Sequence, residues 1–182
     1  MSRRIEVVPY NPAWPALYDQ EAHQVASALG DEIIGMYHIG STSIPGIKAK
    51  PVIDIMVVVD DIEKIDDYNS ALQEIGYRPR GELDIPGRRY FSKDTDGIRS
   101  HQVHCYPLGH PEIERHLNFR DYLREHDQAA EAYGQLKEKL ATQHRYDSHA
   151  YTEAKSDFIR EMDRRAALWR KNSDRLGKLP GT

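Results

Sequence analysis

The sequence predicts an α+β fold: a mixed β-sheet flanked by helices, followed by a helical C-terminal part. Three observations carry that expectation. Val52 to Val59 is a nearly continuous apolar run, the mark of a buried strand. Asp94-Thr95-Asp96-Gly97 separates two stretches, Arg88 to Lys93 and Arg99 to Tyr106, that read as strands paired through a tight turn. Beyond Pro111 the apolar residues recur at helical spacing. Ala129, Ala132, Tyr133, Leu136 and Leu140 make one stripe; Tyr151, Ala154, Phe158, Ile159, Met162, Ala166 and Trp169 make another. Strands early and helices late is the α+β order.

Taken along the chain, Ile5 to Val8 reads as a short edge strand. Asn11 is a helix cap with Pro12 at the first helical position, and Trp14, Leu17, Tyr18, Val25 and Leu29 then share a face that Gly30 closes. Gly35 to Ile39 reads as a strand running into Gly40-Ser41-Thr42-Ser43. The Val52–Val59 strand is expected to be central. After it, Asp60-Asp61 cap a helix carrying Ile62, Ile65, Leu72 and Ile75, ended by Gly76. Arg78 to Leu108 is antiparallel strand, and about three packed helices complete the chain. With 182 residues, one domain over residues 1–171 is expected, with a loose tail over 172–182.

Composition narrows the function classes. The net charge of −4 argues against a broad nucleic-acid surface. Charge is uneven, however: residues 1–110 hold 11 basic and 16 acidic side chains, residues 111–182 hold 14 and 13. A locally positive site for a small anion is therefore compatible with the acidic total. The mean hydropathy of −0.73 is polar, yet eleven tyrosines and a regular spacing of apolar residues argue against disorder. The longest apolar run, Ile55 to Val59, is far short of the ~20 residues of a membrane span. Ser2-Arg3-Arg4 leads straight into Ile5-Glu6, which is no secretory leader, and the single Cys105 forms no internal disulfide. A cytoplasmic protein with a small-molecule partner is the expectation.

The chemistry-bearing candidates begin with Asp54. In an extended strand Val52, Asp54, Met56 and Val58 share one face, so its carboxylate interrupts an otherwise apolar strand. Burying it requires a cation, a metal or strong donors, or else a structural ion pair. Gly40-Ser41-Thr42-Ser43 lies between a strand and the loop leading to Asp54. A glycine there lets backbone amides and hydroxyls approach phosphate oxygens, although the spacing is not that of a P-loop. Lys50 adds a cation before the strand. Arg120, Lys137 and Lys155 lie in or beside apolar helical stripes, either snorkelling over a core or converging on an anion that faces the sheet. His101 and His104 are three apart on one strand and point to opposite faces, so they do not chelate one ion together. His104 is assigned as the partner of Asp54.

Taken together, the runs His38-Ile39-Gly40-Ser41-Thr42-Ser43-Ile44-Pro45-Gly46 and Ala49-Lys50-Pro51-Val52-Ile53-Asp54-Ile55 resemble the GrpB-like family. His101-Gln102-Val103-His104, Phe119 to Arg124, Tyr133 with Leu136-Lys137, and Tyr151 with Lys155 and Phe158 extend the likeness to about residues 5–170. The resemblance implies the nucleotidyltransferase superfamily and its mixed sheet. It implies a glycine-serine turn, here Gly40-Ser41, that holds a nucleoside triphosphate, and strand carboxylates, first among them Asp54, that hold Mg2+ or Mn2+. The pattern departs at the second carboxylate, where this chain has Met56, a residue that does not ligate magnesium. His104 is then expected as ligand or base, and Arg120, Lys137 and Lys155 as phosphate contacts. The implied activity is transfer of a nucleoside monophosphate from a triphosphate to an acceptor. The alternative is a binding module for a nucleotide or coenzyme-A-like phosphate ligand, since related domains occur fused to dephospho-coenzyme A kinase.

Overall fold

The computed structural model describes residues 4–177, which fall into two compact units. The first comprises residues 11–43 and 51–114; the second comprises the N-terminal segment through Tyr10, residues 44–50, and the chain from Arg115 onward.

The first unit is built on a five-stranded mixed sheet. Its strands are β1 (Ile33–Ile39), β2 (Ile53–Val59), β3 (Tyr77–Pro79), β4 (Arg89–Thr95) and β5 (Ile98–Pro107), in the order β1-β2-β5-β4-β3. β2 runs parallel to β5 and antiparallel to β1, so it is interior, with β5 in the middle. Every residue of β2 is buried except Asp54, which is half-buried. This is the strand expected from the apolar run, less Val52. The β4–β5 hairpin closes through Asp96 and Gly97 at φ +53° and +76°, the two left-handed residues that a two-residue hairpin turn requires.

Helix α1 (Trp14–Leu29) starts later than Asn11-Pro12 suggests. Asn11 folds its side chain back to accept from the Ala13 amide, and Pro15 takes the first turn. The face turned inward is Trp14, Glu21, Val25 and Leu29, while Leu17 is exposed. Gly30 ends the helix at φ +56°, as expected. β1 starts two residues before Gly35, across an irregularity in its pairing with β2. The helix expected after Asp60-Asp61 is instead a 3-10 turn, Glu63–Tyr68, that gives way to α2 (Asn69–Glu74).

The second unit is helical: α4 (Asp127–Gln143), α5 (Ser148–Ala154) and α6 (Ser156–Gly177), with most of α3 (Pro111–Glu125). Among the described residues four helices thus lie from Pro111 onward, where about three were expected. Ile5 to Val8 is not a strand: Val8 makes one isolated bridge to Ala49, and the Ile5 amide donates to Arg145. The buried face of α4 is Ala130, Tyr133, Gly134, Lys137, Leu140 and Ala141. Ala132, expected inward, is exposed, because the stripe is rotated by part of a turn. Tyr133 stacks on Phe158 with ring centres 5.5 Å apart and meets Phe119 edge-on. The expected loose tail is helical from Asn172 through Gly177, and its last residues, 178–182, lie outside the described residues. Among the described residues no helix is long and apolar enough to cross a membrane.

Candidate functional site

In the sheet unit the candidate site forms where β1 ends and β2 begins. Ile39 pairs with Asp54, so the residue after Ile39 must turn in front of the Asp54 side chain. That residue is Gly40, at φ +74°, and a Cβ placed on it would lie 2.5 Å from Asp54 Oδ2. Only glycine satisfies both the left-handed backbone and the close approach. The turn and the carboxylate, 14 positions apart in sequence, are thereby in contact. From the parallel neighbour β5, His104 Nε2 donates to Asp54 Oδ1 at 3.2 Å. Asp54 and His104 remain partly open to solvent, at 21% and 12% of side-chain surface. Tyr90, paired with His104 on β4, packs its ring 5.2 Å from the imidazole.

The rest of the Gly40 loop is occupied in building itself. Thr42 Oγ1 donates to the Val52 carbonyl, so the hydrogen in its 3.0 Å contact with His38 comes from His38 Nε2. His38 in turn stacks on Tyr18 at 4.8 Å. The Ser43 hydroxyl and amide both donate to the Gly40 carbonyl. Thr42 and Ser43 are buried, and their hydroxyls brace the turn, which leaves Gly40 and half-buried Ser41 as its outer members.

Met56, in the second-carboxylate position, is fully buried and lies across from His104 in the parallel pair. Among the described residues no three His, Cys, Asp or Glu side chains are grouped to hold a metal ion. Asp54 as a single hard carboxylate suits one divalent ion whose remaining ligands are substrate phosphates and water, and does not suit a pair of ions.

The opposite sheet face holds a cluster that the sequence reading missed. Glu21 of α1 is buried and accepts from Tyr77 Oη and Lys93 Nζ, each at 2.8 Å, with His101 Nε2 at 3.7 Å. Burial lowers the His101 pKa, against the opposing pull of Glu21, and burial raises that of Tyr77. The available signal was Glu21 itself, a carboxylate four positions before Val25 on an apolar helical stripe. His101 and His104 do lie on opposite faces, each with its own carboxylate.

In the helical unit three of the predicted cations come together around two tyrosines. Lys50 Nζ and Lys155 Nζ lie 4.3 and 4.6 Å from the centre of the Tyr151 ring. Lys137 Nζ lies 4.3 Å from the centre of the Tyr133 ring. Lys137 is only 2% exposed, and its ammonium nitrogen has no hydrogen-bond partner among the described residues. The hydroxyl of fully buried Tyr151 has none either. Burial pushes the Lys137 pKa down to about 7, and the charges of Lys155 and Lys50 push the same way. Tyr133 and Tyr151 were read from the sequence as core residues and as members of the family pattern, and neither was named as a site residue. Their spacing of four to Lys137 and Lys155 was the signal for a shared role. Arg120 is engaged differently: its Nε donates to Asp121 at 2.8 Å, and Asp121 also binds Arg170.

The UPF0157 protein YqkA of Bacillus subtilis is 43% identical over 169 residues, covering 93% of this chain, which spans only 49% of that protein. The crystal structure of conserved protein GrpB from Enterococcus faecalis matches with a TM-score of 0.86 at 39% identity, over 90% of this chain and 99% of that one. The Cid1 poly(U) polymerase with Mg 3'-dATP bound matches with a TM-score of 0.57 at 11% identity, over 81% of this chain and 49% of that one. At that identity the likeness is one of fold, and the fold is that of the nucleotidyltransferases. Since residues 4–165 also match the GrpB protein family as a continuous stretch, the chain belongs to that family.

Proposed function

We propose that this GrpB-family protein is a nucleotidyltransferase that moves a nucleoside monophosphate from a triphosphate to an acceptor. The observation that carries the reading is Asp54, the one polar residue of an interior strand, held against the glycine of the Gly40-Ser41 turn and touched by His104. A half-buried carboxylate in an otherwise apolar strand costs stability that an apolar residue would not, which supports a role toward a ligand. In this reading Gly40 and Ser41 present backbone to a phosphate group, as the left-handed turn allows. Asp54 holds one divalent ion, Mg2+ or Mn2+, which when bound neutralises phosphate charge and polarises the reacting phosphorus. His104, whose Nε2 proton is shared with Asp54, orients that carboxylate and accepts or returns a proton near it. Lys50, Lys137, Lys155 and Arg120 are proposed as contacts to phosphate groups.

Met56 favours a second reading, in which the protein binds a nucleotide or coenzyme-A-like phosphate ligand without transfer. One experiment separates the two. Melting is followed with each nucleoside triphosphate and with coenzyme A, with and without Mg2+ or Mn2+, for the native protein and Asp54→Asn, and pyrophosphate release is measured in parallel. A metal-dependent shift with pyrophosphate release, both lost in Asp54→Asn, is the transferase result. A metal-independent shift without release is the module result, and no shift with any ligand overturns both.

A further inference from the structure

The Asp54 face of the sheet continues past His104 onto β4. Side chains at paired positions of neighbouring strands point to the same face. Asp54 of β2 pairs with Gln102 of β5, and Gln102 pairs with Ser92 of β4. One rung along, His104 pairs with Tyr90. The other face carries Tyr77, Lys93 and His101, which meet Glu21 of α1.

Guanidinium groups gather around the β4 end of this row. Arg99 Nε donates to Asp94 at 2.7 Å, and its Nη1 donates to Tyr90 Oη at 3.3 Å. Arg88 lies 5.0 Å from the centre of the Tyr90 ring and donates to the Glu82 and Leu83 carbonyls. Arg80, exposed, reaches Ser92 Oγ through Nε at 3.5 Å. Among the described residues neither Arg80 nor Arg88 forms an ion pair. Tyr90 is only 7% exposed, and its oxygen accepts from Arg99, which leaves the hydroxyl hydrogen to be donated. That hydrogen has no acceptor among the described residues, and half-buried Gln102 spends none of its side-chain amide hydrogens on them. Burial raises the Tyr90 pKa, Arg99 and Arg88 oppose the rise, and Asp54 adds to it, so the hydroxyl keeps its proton and lies within the field of Asp54. A buried donor kept beside cations, with no protein acceptor, is placed for an anion from outside.

We propose that Tyr90, Arg80, Arg99 and Gln102 seat an oxyanion group, phosphate or carboxylate, of the molecule that accepts the nucleotide. Naming that molecule the acceptor rests on the transferase reading; the seat itself does not. In the strand order β1-β2-β5-β4, the Gly40-Ser41 turn at the end of β1 lies on one side of Asp54 and Tyr90 on the other. A triphosphate on the turn and an anion at Tyr90 therefore approach Asp54 from opposite directions. Tyr90 stands two strands from Asp54, about 10 Å at the usual strand spacing. The acceptor is thus a small acidic molecule whose reacting group lies about that far from its anionic group.

The test is NMR titration with inorganic phosphate and, separately, with acetate, at fixed ionic strength and without nucleotide or metal. The Nε–H signals of Arg80 and Arg99 and the side-chain amide of Gln102 should shift and saturate, and the tighter of the two anions identifies the group that the acceptor carries. Tyr90→Phe, which keeps the ring and removes the hydroxyl, should weaken binding several-fold, and so should Arg80→Gln. Arg80 is exposed, so its variant reports on binding even where Tyr90→Phe loses stability. Addition of each nucleoside triphosphate with Mg2+ should leave the anion bound. Shifts that do not saturate, affinity unchanged in both variants, or displacement of the anion by a triphosphate would each overturn the proposal. Pyrophosphate release in the nucleotide assay together with no saturable anion binding would overturn it and leave the transferase reading standing. Saturable binding weakened in Arg80→Gln, in a protein that releases no pyrophosphate from any triphosphate, would uphold the seat and count against the transferase reading.

Discussion

Replacing Lys137 by methionine should make the ligand-free protein more stable, and by an amount that depends on pH. Methionine keeps an unbranched, adaptable side chain of comparable reach and a similar helix propensity, so the chief change is the loss of the amine. The pKa of Lys137 falls from 10.5 to about 7 on folding, and at 1.36 kcal/mol per pH unit the charged form is penalised by at most about 5 kcal/mol. Attraction to the Tyr133 ring returns about 1 kcal/mol of this. Between pH 7 and 10.5 the unfolded chain holds the proton that the folded chain has lost, so the native protein gains stability as pH rises through that window. Lys137→Met lacks this gain. Its advantage should therefore shrink from about 4 kcal/mol at pH 6 to about 2 kcal/mol at pH 9. Urea unfolding of both proteins at pH 6, 7.5 and 9 measures the difference. A variant less stable than the native protein, or an advantage unchanged across the three pH values, would show that Lys137 is comfortably solvated and refute the reasoning.

Three further outcomes follow from named contacts. Gly40→Ala should lose about 1–3 kcal/mol in urea unfolding, because φ of +74° strains an alanine and its Cβ would displace the Asp54 carboxylate; unchanged stability would mean the turn is slack. Burial holds the His101 pKa below its ordinary 6.5, so the unfolded chain gains protons first as pH falls below that value and stability should fall with it. Urea unfolding between pH 7 and 5 should show a shallower loss in His101→Gln than in the native protein, and identical slopes would exclude His101 as the cause. Cys105 is fully buried, with its thiol pushed up to about 12, so a maleimide should label it only as fast as the sheet opens; rapid labelling of native protein would place the thiol at the surface.

Where a feature depends on neighbours in sequence, the chain alone was enough. The hairpin follows from Asp96-Gly97, the pair that most readily adopts two left-handed residues in a row, and β2 follows from an apolar run too short for anything but a buried strand. The oddity of Asp54 within that run, and the placing of His101 and His104 on opposite faces, needed only the two-residue period of a strand, whereas the register of β2 on β5 decided that His104 is the one beside Asp54. Features decided by distant contacts were out of reach. The 3-10 turn at Glu63–Tyr68 replaces an expected helix although the apolar spacing is unchanged. Glu21 was unreadable as a buried hub until Tyr77, Lys93 and His101, brought in from three strands, closed around it. Lys137 shows the division most clearly. Its place four residues after Tyr133 is the same whether its amine lies in water or in the interior. The sequence alone determined that a lysine follows a tyrosine by one helical turn. Only the packing of α4 with its neighbours decided that this turn faces inward, because burial belongs to the surroundings of a residue and not to the residue itself.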